Sequence, residues 1–196
     1  MMILVTGGSG SGKSAFAEDC VVSFGKTDRI YIATMYPFDE ESRKRVQRHR
    51  KMRQGKGFET VECYTGLDKI RLPENCTVLL ECMSNLVANE MFPPVDASGI
   101  QAAEAEKEAL DAPENMKDYE TAQISRVSKK VLKEVSILSE NVAELVIVTN
   151  NVFEDGVSYD ESTMNYIKAM GIVNRGLAAM AERVVEVVAG IPVTVK

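Results

Sequence analysis

A glycine-rich stretch near the start of the chain carries the residue types that bind phosphate. Gly7, Gly12, Lys13 and Ser14 fit the spacing G-x-x-x-x-G-K-[ST]. Glycines let the backbone curl so that its N–H groups point inward, while lysine and serine can reach phosphate oxygens and Mg²⁺. We therefore predict a nucleoside triphosphate site in which the whole loop takes part: Gly7, Gly8, Ser9, Gly10, Ser11, Gly12, Lys13 and Ser14.

A single acid follows an apolar run in the middle of the chain. Glu81 comes directly after Val78-Leu79-Leu80, which is typical of a central parallel strand. Ligands bind beyond the carboxyl ends of such strands, where an acid can hold Mg²⁺ directly or through water. We predict that Ser14 and Glu81 share a magnesium ion, although an acid that merely ends a strand is an open alternative.

The one histidine of the chain lies in a run of basic residues. On a helix, Arg45 and Arg53 would lie one turn either side of His49 and share its face. Flanking cations disfavour the imidazolium form and would also neutralise a phosphate under attack, so His49 is the candidate nucleophile. The alternative is a solvated basic helix face without chemistry.

Strands and helices alternate along the chain, which predicts an α/β fold with a mainly parallel sheet and helices on both faces. A closing pair of short strands predicts an antiparallel C-terminal edge. We expect one domain over 1–196, with an excursion at about 93–116. The predicted strands are 3–6, 29–34, 58–63, 77–82, 145–149, 184–188 and 191–195, and the predicted helices are 15–24, 40–53, 119–139 and 162–183.

Composition restricts the function classes. A net charge of −6 argues against general nucleic-acid binding, because nothing global attracts a polyanion. No apolar run approaches the ~20 residues of a membrane span. Four cysteines without a C-x-x-C pair suit a reducing compartment, and a strand at the N-terminus leaves no signal peptide. These features predict a cytoplasmic protein.

Several runs of this sequence resemble the adenosylcobinamide kinase / adenosylcobinamide-phosphate guanylyltransferase family of cobalamin biosynthesis. The likeness extends nearly from end to end and in order, with its main divergence at 93–116. The combination of the phosphate loop with an arginine-rich histidine helix is the most particular part. The runs that carry the likeness are 1–8, 11–14, 31–34, 45–50, 60–62, 79–82, 148–150 and 171–174, followed by Ala178.

The resemblance implies a RecA-like P-loop NTPase fold, commonly as a homotrimer, and two activities. One phosphorylates a hydroxyl of adenosylcobinamide with GTP or ATP, and the other guanylylates the resulting phosphate through GMP held on a histidine. His49 matches that histidine, and Lys13 matches the phosphate-loop lysine. By position, the residues that would contact nucleotide are Ala33, Thr34, Met35, Arg50, Lys51, Met52, Arg53, Glu62 and Glu81.

The sequence departs from the family pattern mainly in its later half. Gly10 stands where the family usually has arginine, and the segment 151–156 differs from the family's usual Glu-Val followed by a Gly-x-Gly turn. The segment 164–168 replaces the family's usual Arg-x-Phe-Arg-Asp run, and these late changes remove several charges. We therefore expect one activity, the kinase rather than the guanylyltransferase, to be weak or lost. Two other readings are open: a P-loop kinase of another small alcohol, and a nucleotide-binding regulatory protein without turnover.

Overall fold

The computed structural model describes residues 1–25, 27–93, 116–153, 156–157 and 159–196, except for the side chains of residues 45, 52, 116 and 117. Within these residues the strands are β1 (Met2–Thr6), β2 (Arg29–Ala33), β3 (Phe58–Glu62), β4 (Thr77–Glu81), β5 (Glu144–Val148), β6 (Arg183–Val188) and β7 (Ile191–Thr194). The helices are α1 (Lys13–Ser23), α2 (Glu40–Met52), α3 (Met83–Met91), α4 (Met116–Asn141) and α5 (Glu161–Met180), with a 3₁₀ turn at Leu67–Lys69.

The strands form one sheet in the order β3-β2-β4-β5-β1-β6-β7. All the neighbouring pairs are parallel except β6 and β7, which pair antiparallel. The turn between these two has positive φ at both Ala189 and Gly190, as a tight two-residue hairpin requires. The predicted mainly parallel sheet with an antiparallel C-terminal edge is confirmed.

Successive residues of the central strands face opposite sides of the sheet and enter two separate cores. Ile3 and Val5 of β1 pack on the side covered by α1, where Ala17 and Val21 are also buried. Met2 and Leu4 pack on the other side, against buried residues of α3, α4 and α5. Both faces are therefore covered, which is why these strands read as continuous apolar runs.

The strand order brings the predicted functional residues to one edge of the sheet. β1 leads into the glycine-rich loop and β4 ends at Glu81, and β5 lies between them. The phosphate loop and Glu81 are therefore separated by one strand along this edge. Because all three strands are parallel, their carboxyl ends open on the same side.

Most predicted elements differ from the observed ones by one to three residues at their ends, where boundaries are least defined. The predicted helix 162–183 was wrong at its end: α5 stops at Met180, Ala181 is extended, and Arg183 pairs with Ile3 as the first residue of β6. Helix α3 was not predicted. The predicted excursion at 93–116 lies almost wholly outside the described residues.

Candidate active site

The glycine-rich loop between β1 and α1 adopts a backbone that only glycine tolerates easily. Gly10 and Gly12 have φ of 72° and 91°. A Cβ on Gly7 would lie 2.6 Å from both the Ser11 hydroxyl and the Val187 carbonyl oxygen, so no side chain fits there. The first turn of α1 contains no acidic residue and its N-terminus has no side-chain cap. This helix end is therefore open to an anion.

Neighbouring strand ends hold the loop from outside. The Asn151 N–H donates to the Gly7 carbonyl at 3.1 Å, and the Gly190 N–H donates to the Ser11 carbonyl at 2.8 Å. Lys13 folds back over the loop, and its ammonium donates to the Gly8 carbonyl at 3.0 Å. Burial lowers the pKa of Lys13, an effect that nearby Cys82 and Glu81 oppose. A lysine held inside its own loop is already next to the space where phosphates would lie.

Ser14 and Glu81 meet across the sheet edge, as the sequence predicted for a shared magnesium ion. The Ser14 hydroxyl donates to Glu81 Oε1 at 2.5 Å, and the Glu81 side chain is only 10% exposed. The other carboxylate oxygen, Oε2, is buried without a hydrogen-bond partner among the described residues. A hydroxyl and a buried carboxylate with an unused oxygen are the ligand types that Mg²⁺ takes, so the residues fit this ion.

Helix α2 places His49 beside Glu81. The helix begins with a capping box in which Asp39 and Ser42 satisfy each other's backbone N–H groups, so its start is well defined by local sequence. Nδ1 of His49 lies 3.9 Å from Glu81 Oε1, and the ring is about a quarter exposed. The sequence argument foresaw guanidinium neighbours for this ring but not a carboxylate. Glu81 alone therefore lies between the imidazole and the phosphate-loop serine, Ser14.

A cavity opens beside His49 and Glu81. It is lined by seven of the predicted site residues and by seven others. The predicted ones that line it are Ala33, Met35, His49, Arg50, Arg53, Glu62 and Glu81. The sequence analysis gave no site role to the others: Tyr31, Pro37, Val46, Thr60, Tyr64, Cys82 and Asn85. The loop residues Gly8, Ser9, Gly10 and Ser11 line a separate surface groove with the ends of β5 and β6.

Two charged arrangements shape the cavity wall. Arg50 lies 2.5 Å from Glu62 Oε1, and the Tyr64 hydroxyl donates to Glu62 Oε2 at 2.8 Å. Burial, helped by Glu62, raises the pKa of Tyr64 to about 12. Arg53 lies almost wholly buried, with its guanidinium carbon 3.3 Å from the centroid of the Tyr31 ring, a cation–π contact. Its Nη1 has no hydrogen-bond partner among the described residues, which leaves a buried donor for a ligand.

Outside the phosphate loop, three of the nine predicted nucleotide contacts do not line the cavity. Thr34 is completely buried and its hydroxyl is bonded to the Cys82 backbone. Lys51 is exposed on the outer side of α2, and the side chain of Met52 lies outside the described part of the chain, as does that of Arg45. Tyr64 could have been found from sequence only through its place two residues after Glu62, just beyond the end of β3. Tyr31 could not, because it lies in a run that reads as core.

The fold and this site define a class: a P-loop α/β protein with the residues of a phosphoryl- or nucleotidyl-transferase. Residues 3–195 match the family model described as cobinamide kinase / cobinamide phosphate guanyltransferase. The chain belongs to this family, which confirms the resemblance and favours it over the two other readings.

Two curated relatives cover the full length of both chains. One, 31% identical over 200 residues, is the bifunctional adenosylcobalamin biosynthesis protein CobU of Salmonella typhimurium (strain LT2). The other, 32% identical over 199 residues, carries the same name in Escherichia coli (strain K12). Among solved structures, the flagellar accessory protein FlaH of Methanocaldococcus jannaschii matches with a TM-score of 0.43 and 13% identity, over 100% of this chain and 77% of its own.

Proposed function

We propose that this chain catalyses two successive transfers to one corrinoid substrate. It phosphorylates a hydroxyl of adenosylcobinamide with GTP or ATP, and then transfers GMP from GTP to that phosphate. The observation that carries the proposal is the position of His49, the chain's one histidine, 3.9 Å from the carboxylate that binds the phosphate-loop serine. A nucleophile and a triphosphate cradle at one sheet edge suit a covalent nucleotidyl transfer.

The phosphate loop binds the triphosphate. Its inward-facing N–H groups and the uncapped N-terminus of α1 receive phosphate oxygens. Lys13 exchanges its bond with the Gly8 carbonyl for one with a phosphate, which restores a charged partner to an ammonium that burial disfavours. Ser14 and the free oxygen of Glu81 would hold Mg²⁺, which neutralises charge on the phosphates when bound.

His49 is the acceptor of GMP. Its Nδ1 faces Glu81, so Nε2 is the nitrogen that attacks the α-phosphorus. The bond between the α-phosphorus and pyrophosphate oxygen breaks, and pyrophosphate leaves. An oxygen of the corrinoid phosphate then attacks the same phosphorus, the P–N bond breaks, and the imidazole is regenerated. Two displacements in place of one let a bulky acceptor arrive after pyrophosphate has gone.

The cavity wall recognises the base and ribose of the nucleotide. Glu62 accepts from the edge of guanine, which presents N–H donors where adenine does not. Arg50 and Tyr64 orient this carboxylate by occupying one side of each oxygen. Arg53 provides the buried unpaired donor beside Tyr31. Ala33 and Met35 supply the apolar lining.

Intact-mass spectrometry after incubation with GTP and Mg²⁺ tests the proposal. The wild-type protein should gain one acid-labile GMP, and His49→Asn should gain none while still transferring phosphate to adenosylcobinamide. Arg43→Gln is the matched control, because Arg43 is an exposed cation on the same helix outside the cavity. Absence of an adduct on the wild type, or an undiminished adduct on His49→Asn, would contradict the proposed mechanism.

We also propose that the protein acts in the cytoplasm as a homotrimer and binds no nucleic acid. All four cysteines are free thiols, which suits a reducing compartment, and the trimer follows the family resemblance. No described helix has the length and apolar character to cross a bilayer. Light scattering coupled to size exclusion measures the oligomer directly, and a monomer at micromolar concentration would refute the trimer.

A further inference from the structure

Helix α1 contains a buried carboxylate that the proposed chemistry does not use. Glu18 lies one helical turn beyond Ser14 and is only 1% exposed. Its Oε2 is 2.9 Å from the Lys56 ammonium, which also reaches Asp19 at 3.1 Å. A buried charge is costly unless it is paired, so Glu18 depends on Lys56 more strictly than exposed Asp19 does.

Lys56 belongs to the turn that ends helix α2. Its N–H donates to the Arg53 carbonyl at 3.0 Å, and the Arg53 N–H donates to the His49 carbonyl at 3.2 Å. A backbone hydrogen-bond ladder thus runs from Lys56 to His49. The Lys56 carbonyl accepts from Arg29 Nη1 at 2.7 Å, which ties the same turn to the first residue of β2. The turn is therefore fixed to α1 and to the sheet at once.

We propose that Glu18 and Lys56 are positioning residues for His49. Their ion pair sets the register between the helix that begins at the phosphate loop and the helix that carries the imidazole. Neither residue lines the His49 cavity. Reacting atoms must approach to about 3–3.5 Å, and a displacement of ~1 Å can reduce a rate by about 100-fold. A fixed distance between α1 and the end of α2 therefore controls the attack on the α-phosphorus.

The inference rests on the proposed function for its kinetic consequence but not for its geometric one. Glu18→Gln/Lys56→Met removes both charges together and so leaves no unpaired buried carboxylate. In single-turnover experiments, its rate of GMP attachment should fall by about 10- to 100-fold, while its Kd for GTP stays within about threefold. Lys56→Arg should retain the wild-type rate of GMP attachment. Asp19→Asn, the matched control, should also leave this rate unchanged.

A second readout does not require GTP chemistry. Because the chain has one histidine, carbethoxylation by diethylpyrocarbonate, followed by peptide mass mapping, reports how accessible and how reactive the His49 imidazole is. The double variant should react several-fold faster than the wild type, because its imidazole is released from Glu81. If the wild type gains no GMP but this reactivity still responds, the proposed function fails and the positioning role stands.

Two results would overturn the positioning role. One is an unchanged carbethoxylation rate in both Glu18→Gln/Lys56→Met and Glu18→Gln. The other is a Kd for GTP that rises in proportion to the loss of rate, because the pair would then act on nucleotide binding rather than on His49. Glu18→Gln alone keeps the test available if the double variant does not fold, because it removes the buried charge and leaves Lys56 paired with exposed Asp19.

Discussion

The hydroxyl of Thr34 holds the segment that carries Glu81, and replacing it with a methyl group should therefore destabilise the protein. Thr34 Oγ1 accepts from the Cys82 N–H at 2.8 Å and donates to the Cys82 carbonyl at 2.8 Å, in a fully buried environment. Thr34→Val keeps the shape of the side chain and removes both bonds. The Cys82 N–H is then a buried donor without a partner.

The size of the effect follows from these two bonds. Leaving a buried polar group unsatisfied costs about 1–3 kcal/mol, and the lost hydrogen bond to the carbonyl adds about 1 kcal/mol. We expect Thr34→Val to lower the free energy of unfolding by about 2–4 kcal/mol, a large part of a typical 5–15 kcal/mol. Thr34→Ser keeps the hydroxyl and loses one methyl group, so it should cost only about 1 kcal/mol.

Urea denaturation measures both variants. The midpoint should fall for Thr34→Val at an unchanged m-value, and by much less for Thr34→Ser. The reasoning from hydrogen bonding would be refuted if the free energies of unfolding of Thr34→Val and Thr34→Ser differed by less than roughly 0.5 kcal/mol, the usual error in comparing mutants. The backbone of Thr34 is also hydrogen-bonded: its N–H donates to the Glu81 carbonyl, and its carbonyl accepts from the Asn89 side-chain amide. These contacts predict that this residue supports the site rather than touching nucleotide through its side chain.

Two further predictions concern the helices behind the sheet. A Cβ on Gly176 would lie 2.6 Å from the Leu132 methyl groups, whereas a Cβ on Gly171 would meet only Phe153, at 3.7 Å. Gly176→Ala should therefore destabilise the protein by up to ~2 kcal/mol, and Gly171→Ala should stabilise it by up to ~1 kcal/mol. Thermal or urea unfolding measures both. Burial, with Glu90 nearby, raises the pKa of Glu134 above its usual 4.5. The native state therefore binds this proton more tightly than the unfolded chain does, and the free energy of unfolding falls as pH rises through the folded pKa. Glu134→Gln should remove this fall, so the stability of this variant relative to the wild type should be greater at pH 8 than at pH 4. The control Glu140→Gln, at an exposed position, should show no such trend. Parallel curves of stability against pH for all three proteins would contradict the assignment.

Local sequence patterns predicted much of this protein. The glycine spacing of residues 7–14 identifies the phosphate loop because glycine alone tolerates its backbone, and the apolar runs identify strands because both faces of the sheet are covered. Asp39 and Ser42 define the start of α2 by a contact within four residues. Such features depend on near neighbours, so a sequence contains all the information they need.

The late boundary error has the opposite cause. Arg183 leaves the helical pattern because it pairs with Ile3, which is remote in the chain. Helical periodicity continues through that point, and pairing with β1 overrides it. Nothing within the window around Arg183 reports the presence of β1.

The sequence by itself determined the phosphate loop, the succession of strands along the chain, and the single imidazole available for chemistry. Only the tertiary structure decided that His49 faces Glu81, and that Lys56 reaches the buried Glu18 across two elements. The physical reason is that these contacts depend on the strand order, which places the ends of β1 and β4 on either side of β5. Strand order is set by the burial of both sheet faces together, a property of the whole chain rather than of any segment.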